Sequence, residues 1–351
     1  KHGNTAFMLA ANNPNIEIIS FLYDKFKDKI DINLTNNSGN TAFMNATYNP
    51  NVEFITFLYD KFKDQIKINF TNKHGDSAFI MATYNPNVEI IAFLYDKFKD
   101  QIDINLTNNN NDNAFMNATN NKNTKIFIFL YEKFTNKINI NLQNVESYTI
   151  FMKAADKQNV ELITFLYEHF KDQIDIDLRN KNGDNAFMLA ANNQNVEIIT
   201  FLNEKFPNKI NFNLRNKENY TIFMVAANNP NVEIITFMYE HFKNQININL
   251  TNKHGNTAFM SAVQKSNLEV IKYLHNTCKD KIDINKQNKY GDTALIIAAW
   301  NSPIEVVKFL CNTQFKDTIN INLKNMNHET ALMIAQKLKK ADIEQFLLNF
   351  L

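Results

Sequence analysis

Little in this chain is charged in excess of one sign: 37 lysine and arginine residues face 36 acids, for a formal net charge of +1. Bulk charge therefore names neither nucleic acid nor a membrane surface as an obligatory partner. No apolar run approaches the roughly 18 residues that a spanning helix needs. Cysteine is nearly absent, and Cys278 and Cys311 stand at different phases of the pattern described below, which disfavours a designed disulfide and leaves two buried thiols. The signatures of catalysis are missing as well: no His-Glu-x-x-His, no cysteine pair at metal spacing and no phosphate loop with its lysine. His2, His74 and His254 share one phase, as do His169 and His241, so they read as copies of a template before they read as a metal site. The expectation is a non-enzyme with no cofactor.

Glycine is equally scarce, with six in 351 residues, but it is placed. Gly3, Gly39, Gly75, Gly183 and Gly255 each open a G-[ND]-[TSN]-A-F string, and the gaps are multiples of 36. Gly291 keeps the beat; Asn111, Ser147 and Asn219 stand in for glycine, and one extra residue near Gln314 and Phe315 moves the last beat to His328. A fixed period of this size signals an array whose units lean on their neighbours, because a single unit has no partner for its apolar face. The register predicts one array over 1–351 with units 1–35, 36–71, 72–107, 108–143, 144–179, 180–215, 216–251, 252–287, 288–324 and 325–351, the last closing the stack.

Within a unit the elements follow from local chemistry. Thr5, Thr41, Ser77, Asn113, Thr149, Asn185, Thr221, Thr257, Thr293 and Thr330 precede an apolar run, and all can cap a helix by accepting an orphan N–H. That first helix is short, because Asn49-Pro50 cannot continue it. Asn51 then caps a second helix, with Glu53 in its first turn and Val52, Ile55, Leu58 and Phe62 at helical spacing. Repeat four has Lys125 where the others have the acid, and repeat nine has Ser302 as cap with Pro303 as the first helical residue. Lys67 to Phe70 reads as a short extended return, and Asn72 to Gly75 as the turn into the next unit.

Gly39-Asn40-Thr41-Ala42-Phe43-Met44-Asn45-Ala46, then Val52-Glu53-Phe54-Ile55, then Ile68-Asn69-Phe70 resemble the ankyrin repeat, whose core reads G-x-T-P-L-H-x-A-A, a second helix and a V-N-A finger. The likeness recurs in every unit. It implies an all-α solenoid with short hairpin-like turns. The family's proline and histidine are replaced by Ala or Ile and by Met (Ala42 and Met44; Ile150 and Met152; Ile222 and Met224), so a polar link between neighbours is expected to give way to apolar packing. The unit is also three residues longer than the family's usual 33, at Phe62 to Ile66; helix two should gain most of a turn or a longer loop, with Phe62 and Ile66 buried.

The resemblance further implies a non-catalytic module that docks a protein on its concave face: the turn tips and the end of helix one. Here these are Asn37, Ser38, Asn40, Tyr48 and Asn49 in repeat two, and Lys73, His74, Asp76, Tyr84 and Asn85 in repeat three. Aromatics with a polar handle dominate interfaces, which singles out Tyr48, Tyr84, Tyr148, Tyr220, Tyr290 and above all Trp300; the opposing reading is that each covers the adjoining layer. Lys181, Lys217, Lys253 and Lys289, with Lys1 and Lys73 at the same phase, form a ladder that could meet an acidic strip or be a solvated edge. Repeat five departs from its neighbours at Val145, Glu146, Tyr148, Asp156 and Lys157, a candidate specificity patch.

Acceptor triplets at Asn33, Asn69, Asn105 and Asn249 lie where packing would suffer from glycans, which favours the cytoplasm, or a host cytosol if the chain is an effector. The chain opens inside a turn with Phe7, Ile16, Ile19 and Phe21 in need of cover, so it reads as a fragment. The expected partner is a protein, without nucleic acid or membrane, and the chain is expected to be monomeric. The alternative is a targeting arm of a larger enzyme or effector; a mechanical spacer would have no tight partner.

Overall fold

The computed structural model describes residues 2–350 except 14, 121–123, 208, 313–314 and 316–317. Lys1 of the lysine ladder and the inserted Gln314 thus lie outside the described residues. Two compact units are present, residues 1–178 and 179–351, and the division falls within one residue of the expected repeat boundary. In the first unit the helix pairs are Ala6–Ala11 with Ile16–Phe26, Ala42–Ala46 with Val52–Phe62, Ala78–Ala82 with Val88–Phe98, Ala114–Ala118 with Lys125–Phe134, and Ile150–Asp156 with Val160–Phe170. In the second they are Ala186–Asn192 with Val196–Lys205, Ile222–Asn228 with Val232–Phe242, Ala258–Gln264 with Leu268–Cys278, Ala294–Asn301 with Ile304–Asn312, and Ala331–Lys337 with Ala341–Phe350. Successive first helices pack on one another within each unit.

All ten predicted caps act. Thr41 Oγ1 accepts the Met44 N–H at 3.2 Å, and the remaining nine side chains accept from the equivalent residue. Asn51 caps the second helix through Glu53 N–H at 2.9 Å. Ser302 does something else: its buried hydroxyl donates to the Val263 carbonyl at 3.0 Å, and the helix starts at Ile304. The hydroxyl bridges to the preceding repeat, so Pro303 lies outside the helix it was expected to open.

Every beat is left-handed. Gly39 has φ +81°, and a Cβ there would stand 2.7 Å from Lys73 N, so both conformation and close approach demand glycine. Asn111, Ser147, Asn219 and His328 hold φ between 58° and 60°, a conformation that costs a side chain but not a clash. The extended return is corrected. Ile68 and Asn69 form a turn closed by Phe70 N–H to Lys67 C=O at 3.0 Å, and the lone bridge nearby pairs Thr71 with Ser77. A local turn supplies the same inward placement of Ile66 and Ile68, both buried, that alternation in a strand would have given.

The extra residues behave as expected: Phe62 and Ile66 are buried, and Gln65 and Ile66 N–H groups both return to the Phe62 carbonyl. An aromatic seam explains the phenylalanine. Phe62 meets Phe7 and Tyr23 edge-on at 5.8 and 5.6 Å, Phe98 meets Phe43 and Tyr59 at 5.9 and 5.4 Å, and Phe134 meets Phe79 and Tyr95 at 6.0 and 5.4 Å. Such pairs add about 0.5–1.5 kcal/mol beyond area burial. In repeat one, Phe7 and Ile19 are covered, Ile16 is half-buried, and Phe21 is exposed. Ile18 and Phe26, which correspond to the buried Phe54 and Phe62 of repeat two, are exposed as well.

Candidate functional site

Two ladders of hydrogen bonds run along the turn tips. In the first, a backbone N–H two residues before the beat donates to the carbonyl of the preceding tip: Lys73 to Ser38 at 2.9 Å, Asn109 to His74 at 2.8 Å and Val145 to Asn110 at 2.8 Å. The second unit repeats it with Lys217 to Asn182, Lys253 to Glu218 and Lys289 to His254. The second ladder uses the asparagine three residues before the beat. Asn72 Oδ1 accepts the N–H groups of His74 and Asp76, which shapes its own turn, while Asn72 Nδ2 donates to Asn40 Oδ1 of the previous repeat at 2.8 Å. Asn36, Asn108, Asn144, Asn216, Asn288 and Asn325 make the same reach.

This second ladder corrects the expectation that apolar packing alone replaces the family's lost histidine. The polar link between neighbours persists, carried by the asparagine three residues before the beat. A single asparagine can do it because its amide offers acceptor and donor at opposite ends. The signal was in the sequence as an asparagine recurring three residues before nearly every beat.

The ladders also remove several candidates from the open face. Asn40 and Asp76 are the acceptors of rungs. Asn49 and Asn85 are 4% and 2% exposed, and their amides reach carbonyls of the preceding repeat, Asn85 Nδ2 donating to Thr47 at 2.8 Å. They fasten the array, where they were expected to face a partner. Asn33 and Asn69 similarly donate to the Gln65 and Gln101 carbonyls of the next repeat.

Asn37, Ser38, Lys73 and His74 stay outward at the tips, and two aromatics stay outward beside them. Tyr48 and Tyr84, both at the end of a first helix, are 49% and 39% exposed. Tyr84 is held in place by its hydroxyl, which donates to Asn117 Oδ1 at 2.8 Å. Burial, and then the Asp76 carboxylate, push both phenols above the usual tyrosine range. Tyr290 is exposed, with its hydroxyl 2.9 Å from His254 Nδ1. Tyr148 and Tyr220 are half-buried, and Tyr220 lines a cavity of about 190 Å³ with Asp184, Leu189, Asn192, Val225 and Asn228. Trp300 is half-buried; Lys337 Nζ sits 5.5 Å from its ring and Lys340 Nζ donates to its carbonyl at 2.9 Å, so it helps to seat the last repeat.

The lysines of the ladder, Lys181, Lys217, Lys253 and Lys289, are exposed, and Lys253 pairs with Glu218 at 3.0 Å. In repeat five Val145 is exposed and Lys157 stands 3.9 Å from Asp156. An ion pair that sequence reasoning missed joins this repeat to repeat four: Lys153 Nζ lies 3.0 Å from Asp112 Oδ1, both side chains almost fully buried. Among the described residues, no group of three or more His, Cys, Asp or Glu could hold a metal ion, and no helix is long and apolar enough to cross a membrane.

A search of curated proteins returns no match. A family model described as ankyrin repeats (three copies) matches residues 1–72, 133–215, 205–287 and 278–350. Residues 73–132 lie outside those matches, yet they carry the capped first helix, the left-handed turn and both tip ladders. Ankyrin repeats are in general modules of protein–protein interaction. The matched spans cover most of the sequence, and with the helix pairs and turns described above they place the chain in the ankyrin-repeat family.

Proposed function

We propose that the chain is a non-catalytic binding or scaffolding module that holds a partner protein on the face made by its first helices and turn tips. The observation that carries this reading is the sorting of side chains. Asn40, Asn49, Asp76 and Asn85 are spent on inter-repeat bonds, whereas Tyr48 and Tyr84 keep large parts of their rings in water beside the exposed tip residues Asn37, Ser38, Lys73 and His74. Half-exposed tyrosines on a rigid frame lose little entropy on docking and offer both a ring and a hydroxyl. Tyr148 and Lys157 extend the surface in the first unit, and Tyr220, Tyr290, Trp300 and the lysines at 181, 217, 253 and 289 are the candidates of the second unit, taken by itself.

A cytoplasmic setting is part of the proposal. Cys278 and Cys311 are free and buried, with the Cys311 thiol pushed up to about 12 by burial. Asn33 and Asn69, both in acceptor triplets, use their amides in packing, which a glycan would prevent.

Affinity capture tests the docking face. Wild-type chain and a Tyr48→Ser/Tyr84→Ser variant are compared, with Lys63→Ser/Lys99→Ser on the opposite loops as control. Loss of the captured proteins in the tyrosine variant, with retention by the control, supports the assignment. Identical capture by all three chains contradicts it.

A further inference from the structure

The array contains its own controls for the position one residue past the left-handed turn. In repeats two and eight it is Asn40 and Asn256, each accepting the next repeat's asparagine amide at 2.8 Å. Asp76 makes the same bond, from Asn108 Nδ2 at 2.9 Å. The rung therefore does not require a negative charge. Burial opposes that charge: Asp76 is 9% exposed, and burial raises its carboxyl above the ordinary range against the pull of Asn108 and His74. A carboxylate held under such a penalty, where asparagine serves elsewhere, is a candidate for function.

Repeat four shows what satisfies such a group. Asp112 accepts Asn144 Nδ2 at 3.0 Å and also takes the Lys153 ammonium at 3.0 Å. Lys153 stands six residues past its beat, on the first helix of the next repeat. One repeat earlier, the residue at that station is Asn117. It is 1% exposed, accepts the Tyr84 hydroxyl through Oδ1, and leaves Nδ2 with no hydrogen-bond partner among the described residues. Among those residues no cation pairs with Asp76. The charge is present, an orphaned amide stands at the station that Lys153 fills one repeat later, and the carboxylate raises both Tyr48 and Tyr84.

We propose that Asp76, with the rings of Tyr48 and Tyr84, is a seat for an arginine or lysine side chain of the partner protein, which supplies in trans the cation that Lys153 supplies to Asp112. The cation would rest on the ring faces, where attraction to the aromatic quadrupole adds to the ion pair. A partner presenting an exposed basic residue is thereby selected over an acidic one.

The inference rests on the docking reading, and its test is separate from partner capture. Nα-acetyl-arginine amide is titrated into the full labelled chain and followed by NMR at the Asp76 carboxyl carbon and the rings of Tyr48 and Tyr84, with Nα-acetyl-norleucine amide as the uncharged control. Saturable shifts with the arginine probe alone are expected, weakened about tenfold or more by Asp76→Asn. Asn117→Lys should fill the seat from within, so that it raises the melting temperature and abolishes probe binding. Equal binding by wild type and Asp76→Asn, or undiminished binding by a folded Asn117→Lys chain, overturns the proposal. Probe binding without capture of any partner on this face would sink the docking reading alone.

Discussion

Tyr220 shows what an exception does to a repeated bond. It stands where Asn40, Asp76 and Asn256 accept a rung, and the asparagine that would donate to it, Asn252, keeps a buried Nδ2 with no partner among the described residues. An orphaned buried amide costs roughly 1–3 kcal/mol. Tyr220→Asn should therefore raise the free energy of unfolding by about 1 kcal/mol, measured by urea denaturation; a lower midpoint would show that the tyrosine's packing outweighs the missing bond. Tyr84 carries a second residue-scale expectation. Its folded phenol is raised, chiefly by burial and next by Asp76, so the protonated form is favoured in the native chain. That contribution is complete below the unfolded value near pH 10 and is lost as pH rises through the higher folded value. Stability should fall more steeply above about pH 10 in the wild type than in Tyr84→Phe, and absorbance titration should show the Tyr84 phenol ionising late.

Among elements, the second helix and its loop bear most of the apolar load. Phe98 is 3% exposed and touches rings from two neighbouring elements. Phe98→Ala should cost about 3–5 kcal/mol, whereas Phe70→Ala, at 42% exposure, should cost no more than about 1 kcal/mol; equal costs in urea denaturation would contradict the seam. The helices were legible because caps, proline stops and helical spacing are local signals, and Thr41, Asn51 and Phe62 behaved accordingly. The loop of Lys67 to Phe70 was not, since alternation of polar and apolar residues is satisfied equally by a strand and by a turn that places Ile66 and Ile68 inward. Ser302 was misread because its hydroxyl answers to a carbonyl 39 residues earlier, a demand that no local window contains.

At the scale of the molecule, the period alone announced the architecture, and the family followed from residues that recur in every copy. The face was legible only in part. Tyr48 and Tyr84 could be placed on it by phase, but phase could not reveal that Asn49 and Asn85 at the next position turn inward to the preceding repeat, nor that Lys153 would cross to Asp112. Both depend on contacts between copies, and stability lies in those contacts: within each compact unit the repeats hold one another through ladders, seams and stacked first helices. Removal of residues 325–351, which carry Ile334, Ala335, Ile343 and Leu347 into the core, tests this most directly by urea unfolding followed with circular dichroism. The shortened chain should keep its helical signal per residue and unfold with a smaller m-value and a stability lower by a few kcal/mol, on the order of one neighbour interface. Loss of the folded signal throughout, or a stability unchanged by the deletion, would contradict nearest-neighbour support.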